Sequence, residues 1–274
     1  MTGDGRAEAL GAVVLWSILA LLAIRLAAAP PLLLTGLALL IGSLVGGKAL
    51  LQRFPPVPAL ALGIYGLFGF HFFLFLALRR APPVEANLIN YLGPLLIVLL
   101  APLMIEGVRF SLRHGFAAML GFAGAALLIT ASSATLGGGE LTGYAFAAAS
   151  AFIWATYSLM TRRMRHFPTA YVSWFCLFSG LASLTCHLAF EPRYLPAGIE
   201  WLYLLALGIG PMGAAFFLWD RALKKGDPRV IGNLAYLTPL LSTLALVAFG
   251  GASLTPVAFL AMGLILAGAW LGRR

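Results

Sequence analysis

Ala77-Leu78-Arg79-Arg80-Ala81-Pro82-Pro83 leads, eight residues on, into Tyr91-Leu92-Gly93-Pro94-Leu95-Leu96. Ala222-Leu223-Lys224-Lys225-Gly226-Asp227-Pro228 leads, at the same spacing, into Tyr236-Leu237-Thr238-Pro239-Leu240-Leu241. The offset is 145 residues; of the 20 aligned positions from Ala77, 8 are identical and 2 exchange Arg for Lys. A second match, Ala123-Gly124-Ala125-Ala126-Leu127 against Ala267-Gly268-Ala269-Trp270-Leu271, follows at offset 144. Paired cations, a tyrosine and a proline at fixed spacing are not common filler of Leu/Ala/Gly-rich helices. The chain therefore reads as one unit duplicated. Duplicated units in very apolar chains are the plan of many membrane transporters.

Composition agrees. Of 274 residues, 61% are hydrophobic and only 10% charged, and the mean hydropathy is +0.97. A soluble domain carries roughly 25% charged residues, so this chain could not cover a water-facing surface and reads as an all-α integral membrane protein. The net charge of +9 raises nucleic acid as a partner, but the cations cap apolar runs instead of forming a patch interleaved with aromatics. Cys176 and Cys186 stand ten residues apart in one apparent helix, about 15 Å along its axis, too far to bridge. No Cys/His cluster has metal-ligand spacing, no Gly-Lys-Ser/Thr phosphate loop is present, and no cleavable signal peptide is read. No cofactor and no obligate protein partner are expected.

A pass needs about 20 apolar residues, and the sequence offers ten runs: 9–27, 31–50, 59–78, 84–105, 112–131, 141–161, 169–190, 201–219, 230–249 and 255–271. With ten passes, 14 of the 18 Lys and Arg fall on one side; only Arg25, Arg79, Arg80 and Arg193 fall on the other. The positive-inside rule then places both termini in the cytoplasm. The expected fold is ten transmembrane helices in two five-helix repeats, 1–134 and 135–274, forming one transmembrane domain. Five is odd, so the copies must run in opposite directions through the bilayer, an inverted repeat that can adopt inward-open and outward-open forms.

Polar side chains are scarce in these runs, so their placement is informative. Asn87, Asn90, Tyr91 and Pro94 share one helical face, as do Ser150, Trp154, Tyr157, Ser158 and Thr161. Asn233 and Tyr236 share a face just before Pro239. Trp16 and Ser17 lie mid-run, and His71 lies among Phe70, Phe72, Phe73 and Phe75. Lipid is a poor environment for such groups, so these faces are expected to line a central cavity, although Asn, Ser and Thr also serve simply to tie helices together. Pro94 and Pro239, equivalent in the repeat, are each expected to kink a helix and to act as a hinge. Gly63, Gly66 and Gly69, with Gly208, Gly210 and Gly213, are expected to serve close packing. Glu85, Glu106, Glu140, Glu200 and Asp220 are placed near run ends. With only His71 positioned as a proton relay, facilitated transport is the expectation.

The paired Tyr-Leu-x-Pro-Leu-Leu segments, the mid-helix tryptophans of the first and sixth runs and the two inverted halves resemble the drug/metabolite transporter superfamily in its EamA-type branch, over essentially the whole chain. Within that branch the chain is similar to bacterial aromatic amino acid exporters. The resemblance implies a bacterial inner-membrane exporter with an amino acid substrate and a cavity formed by helices one, three, four, six, eight and nine. Carried onto this sequence, the implied cavity residues are Trp16, Phe70, His71, Leu74, Asn90, Tyr91, Trp154, Phe217 and Asn233. Tyr157 and Tyr236 join them from the faces described above. Export of another metabolite or drug, such as a purine or an amphipathic cation, remains open. So does an intramembrane hydrolase built on His71, although no Gly-x-Ser-x-Gly elbow is present.

Overall fold

The structure is a computed structural model, and it describes residues 4–51, 54–131, 140–250 and 256–273. Fifteen α-helices are assigned among them: α1 (Arg6–Ser17), α2 (Leu19–Arg25), α3 (Pro31–Ser43), α4 (Val57–Ile64), α5 (Phe70–Leu78), α6 (Pro83–Asn90), α7 (Leu92–Met104), α8 (Leu112–Ala131), α9 (Leu141–Arg163), α10 (Tyr171–Phe190), α11 (Glu200–Ile209), α12 (Ala215–Lys225), α13 (Pro228–Ala235), α14 (Leu237–Gly250) and α15 (Pro256–Leu271). Several are joined end to end. Six continuous stretches are long and apolar enough to cross a membrane: Arg6–Arg25, Val57–Leu78, Glu85–Met104, Tyr171–Phe190, Glu200–Lys225 and Pro228–Phe249. The helices α8 and α9 have the length, with 20 and 23 residues, while the apolar α3 and α15 are shorter.

The interruptions recur at the spacing of the sequence repeat. A π-turn, Tyr65–Gly69, joins α4 to α5, and another, Gly210–Ala214, joins α11 to α12. Tyr91 divides α6 from α7 as Tyr236 divides α13 from α14. The breaks are not at the prolines themselves. Pro94 and Pro239 sit in the first turn of the following helices, where a missing N–H is tolerated. Each proline deprives the carbonyl four residues earlier, that of Asn90 or Ala235, of its donor and crowds it, so the irregularity falls in the preceding turn. The first run also differs from its expected continuity, with a break at Ile18.

Small residues bring helices together. A Cβ on Gly180 would lie 3.0 Å from the Gly36 carbonyl oxygen, joining α10 to α3. One on Gly124 would lie 2.6 Å from the Ala261 oxygen, joining α8 to α15. Gly42 of α3 abuts the second π-turn: an added Cβ would stand 2.5 Å from the Met212 oxygen and 3.0 Å from Gly213 Cα. Backbone cannot step aside as a side chain can. Gly42→Ala is expected to destabilise by about 1–3 kcal/mol, read as a lower thermal midpoint in detergent. Gly263→Ala on α15, with nothing within 4 Å of the new methyl, should not lower it.

Buried clusters fill the interior. One joins Leu39, Val172, Phe175 and Leu204; another joins Ala12, Ile97, Leu159, Trp219 and Ile231; a third joins Leu95, Ala125, Tyr236 and Ile265. Large apolar side chains also cover the outside, among them Phe116, Leu188, Phe249 and Trp270. In water such a surface would aggregate; against acyl chains it is at home, because the helices satisfy most of their backbone hydrogen bonds internally.

Between α12 and α13, Asp227 caps α13 by accepting from the Arg229 amide at 2.9 Å. Burial acts to raise the Asp227 pKa, but the side-chain and backbone hydrogen bonds from Arg229 outweigh it and hold the carboxyl below its ordinary 3.8. The folded value is thus below the unfolded one. Asp227 adds stability above about pH 3.8 that is lost as pH falls through the lower folded value. Asp227→Ala is expected to cost about 1 kcal/mol at neutral pH, with the difference from the parent shrinking in acid unfolding titrations.

Candidate functional site

Three tryptophans meet in the interior. Trp16 of α1, Trp154 of α9 and Trp219 of α12 have centroids 5.5 Å (16–154), 5.2 Å (16–219) and 5.7 Å (154–219) apart. Around them stand Phe70 at 5.4 Å and Tyr157 at 5.8 Å from Trp154, and Phe216 at 6.1 Å from Trp16. His71 lies against Phe70 at 4.9 Å and Phe216 at 6.4 Å. Most of these pairs are edge-on or tilted, the arrangement the ring quadrupoles favour.

The two π-turns orient this centre. A π-turn leaves backbone carbonyls off the regular ladder. In the first, the Leu67 carbonyl accepts from His71 Nδ1 at 2.6 Å. In the second, the Pro211 carbonyl accepts from Trp16 Nε1 at 3.1 Å. With its proton on Nδ1, a neutral His71 has Nε2 as an acceptor. Tyr157 rests on the first turn so closely that a Cβ at Gly66 would fall 2.1 Å from its ring. Trp219 Nε1 donates to Ser158 Oγ at 3.0 Å. The rings are thus fixed by hydrogen bonds as well as by packing.

Directly after Trp219 comes a charge that the sequence pattern places at a helix end. α12 continues to Lys225, and Asp220 is 3% exposed. Its Oδ2 accepts from Lys224 Nζ at 2.7 Å and from the Thr169 hydroxyl at 2.5 Å. Lys224 Nζ also donates to the Phe167 carbonyl at 2.8 Å, and the Lys224 carbonyl accepts from Arg162. Glu191, just past α10, has a side chain with no exposure. It accepts from the amides of Leu32 and Leu33 at the start of α3, from His187 Nδ1 at 3.0 Å and from Arg79 at 3.2 Å.

Of the expected cavity residues, Trp16, Phe70, His71, Trp154 and Tyr157 are brought together. Leu74 is half-buried one turn beyond Phe70. Phe217 makes none of these ring contacts: it is buried near Gly46, while its neighbour Phe216 faces the tryptophans. Asn90 reaches Ser150, whose hydroxyl donates to Asn90 Oδ1 at 2.6 Å. Tyr236 donates to the Tyr91 carbonyl at 3.2 Å and packs on Gly121 of α8. Asn233 bonds the Arg229 carbonyl of its own helix at 3.0 Å and abuts Gly272. The Tyr91 carbonyl, Tyr236 and Asn233 therefore tie the α6/α7 junction, α8, α13 and the end of α15 together. Sequence reasoning missed Phe216, Trp219, Asp220 and Glu191. The signal for the first two was available: Phe216, Trp219 and Leu223 form one helical ridge of α12, and all three are buried.

Long apolar helices that enclose a hydrogen-bonded aromatic centre and present large apolar side chains outward define a polytopic membrane protein with an interior site. The chain belongs to the EamA-like transporter family, whose model matches residues 7–130 and again 141–272. It is 45% identical over 267 residues, 94% of this chain and 93% of the relative, to the aromatic amino acid exporter YddG of Ancylobacter novellus. It is 29% identical over 249 residues to the protein PecM of Dickeya dadantii, covering 84% and 82% of the two chains. A crystal structure with 42% sequence identity superposes with a TM-score of 0.93, covering 99% of this chain and 96% of that one.

Proposed function

We propose that this protein exports neutral, mainly aromatic amino acids across the bacterial inner membrane by alternating access. The observation that carries the proposal is the aromatic centre, with Trp16, Trp154 and Trp219 set against His71. Stacking on such rings contributes roughly 0.5–1.5 kcal/mol per pair beyond burial, and the His71 Nε2 lone pair suits an ammonium. The 45% identical relative bears the name of an aromatic amino acid exporter. Besides the five aromatic-centre residues, Leu74, Asn90 and Tyr91 are proposed to face the substrate during the cycle, and Asn233 and Tyr236 to support α13. Phe216 and Trp219 take the place expected for Phe217.

The proposed frame is ten passes in two inverted halves, 1–134 and 135–274, with both termini cytoplasmic. Support comes from the tandem family match, the paired π-turns and the paired breaks at Tyr91 and Tyr236. Pairings recur under exchange of halves: α5 packs on α9 as α12 packs on α1, and α4 packs on α10 as α11 packs on α3. The breaks before Pro94 and Pro239 then serve as hinges. The Asp220–Lys224 pair closes the cytoplasmic end in this conformation. The buried Asp220 is already paired with Lys224, which supports facilitated transport.

Two other readings make distinct predictions. A purine or amphipathic cation could stack on the same rings. A hydrolase built on His71 is disfavoured: His71 Nδ1 is engaged by the Leu67 carbonyl at 2.6 Å, and among the described residues no serine hydroxyl is hydrogen-bonded to its ring. The test is reconstitution into liposomes, following labelled Trp, Phe, Thr, a purine and a quaternary amine with and without a pH gradient. Trp and Phe should move down their gradients without an imposed pH difference. Flux of the amine or purine alone would defeat the substrate assignment; an absolute need for the pH gradient would defeat facilitation.

A further inference from the structure

A cleft of about 490 Å³ opens where α7 ends beside α9, lined by Pro102, Leu103, Met104, Ile105, Glu106 and three arginines, Arg162, Arg163 and Arg165. Arg162 is tethered to the Lys224 carbonyl. Among the described residues, Arg163 and Arg165 have no hydrogen bond or ion pair, and no ion pair joins Glu106 to any of the three. Three guanidiniums against one carboxylate leave an excess of positive charge in a concave site. Such repulsion calls for an anion with several acceptor oxygens, which guanidinium forks match well.

An apolar track leads away from the cleft. Leu103, which lines it, is 81% exposed, and Leu99, one turn back along α7, is 39% exposed. The site therefore joins a cationic head to an outward-facing aliphatic stripe on a helix that enters the bilayer. Free phosphate would use only the first; an anionic lipid uses both. We infer that this cleft binds the headgroup of an anionic phospholipid, such as phosphatidylglycerol, with an acyl chain lying along Leu99 and Leu103. Basic pockets between helices at the cytoplasmic face are suited to this. The lipid would bridge α7, which carries the break at Tyr91, to α9, which carries Trp154.

The test uses the full chain in mild detergent, with retained lipid counted by native mass spectrometry against defined phosphatidylglycerol and phosphatidylcholine. The parent should retain phosphatidylglycerol in preference. Each surface cation contributes roughly fivefold in binding, so Arg163→Gln/Arg165→Gln should weaken retention about 25-fold without moving the thermal midpoint of lipid-free protein. The Arg→Lys pair should keep most of the binding. Leu103→Asn should weaken lipid retention while leaving any weak inhibition by inorganic phosphate unchanged. Equal retention by parent and double Gln variant, or inorganic phosphate competing as tightly as the lipid, overturns the assignment. So does loss of tryptophan flux in the Gln variant with lipid retention intact, which would make the cleft part of the substrate path.

Discussion

Trp154→Ala is expected to cut tryptophan flux in liposomes by tenfold or more. Trp154 has five aromatic neighbours, Trp16, Phe70, Tyr157, Phe216 and Trp219, with centroids within 6.3 Å. Each aromatic pair contributes roughly 0.5–1.5 kcal/mol beyond burial. Losing one or two contacts to a bound ring therefore costs roughly 0.5–3 kcal/mol on top of the lost burial, a range that spans the ~1.4 kcal/mol corresponding to a factor of ten. The same truncation leaves a hollow among the rings, and large-to-small changes of this kind destabilise by about 3–5 kcal/mol. Flux must therefore be measured beside a thermal midpoint. Trp154→Phe separates the two effects: it should restore most of the stability and only part of the preference for tryptophan over threonine. Full flux through a folded Trp154→Ala variant would remove the aromatic centre as the substrate site.

Asp220→Ala should give the largest loss of stability among single changes at the C-terminal end of α12. The Asp220 and Lys224 side chains are 2% and 14% exposed. Removing one partner of a buried pair leaves the other charge uncompensated, at a cost of about 3–5 kcal/mol. Thr169 and the Phe167 carbonyl lose a partner or its alignment as well. The double variant Asp220→Ala/Lys224→Met buries no charge and should recover most of the loss. A double-mutant cycle on denaturation in detergent reads the coupling. If the two single losses simply add, Asp220 and Lys224 are not a functional pair. If they couple, the double variant also tests the proposed gate, since unlocking the proposed cytoplasmic end should alter the rate of tryptophan flux.

The breaks near Pro94 and Pro239 were legible before any coordinates; the two π-turns and the break at Ile18 were not. Proline acts on a carbonyl four residues away, so Pro94 and Pro239 announce irregular turns wherever the chain goes; the shift of those breaks to Tyr91 and Tyr236 follows from the same geometry. Trp16, His71 and Trp154 were legible because a polar-tipped ring in an apolar run is costly against lipid. Asp220 was misread because hydropathy marks the end of an apolar run, not the end of the helix. The cost of burying its carboxylate is met by Lys224, one turn along, and by Thr169 from another segment.

Phe216 and Phe217 show where one-dimensional reasoning stops. A π-turn carries one residue more per turn than an α-helix, so Gly210–Ala214 rotates everything after it by about 100°. Phe217, implied by the family resemblance alone, stands one residue from Phe216, the ring that faces the tryptophans. Asn233 and Tyr236 diverge for another reason: Gly121 and Gly272 lack side chains, so α8 and the end of α15 come close enough to occupy that face.

From the order of residues alone came the membrane class, the repeated sequence and the irregularities near Pro94 and Pro239, because hydropathy and proline act locally. Folding in three dimensions decided which rings meet, which carboxylates are buried and which polar faces serve packing. Those outcomes depend on helix rotation and on partners far apart in the chain, and neither is written in the spacing of any single segment.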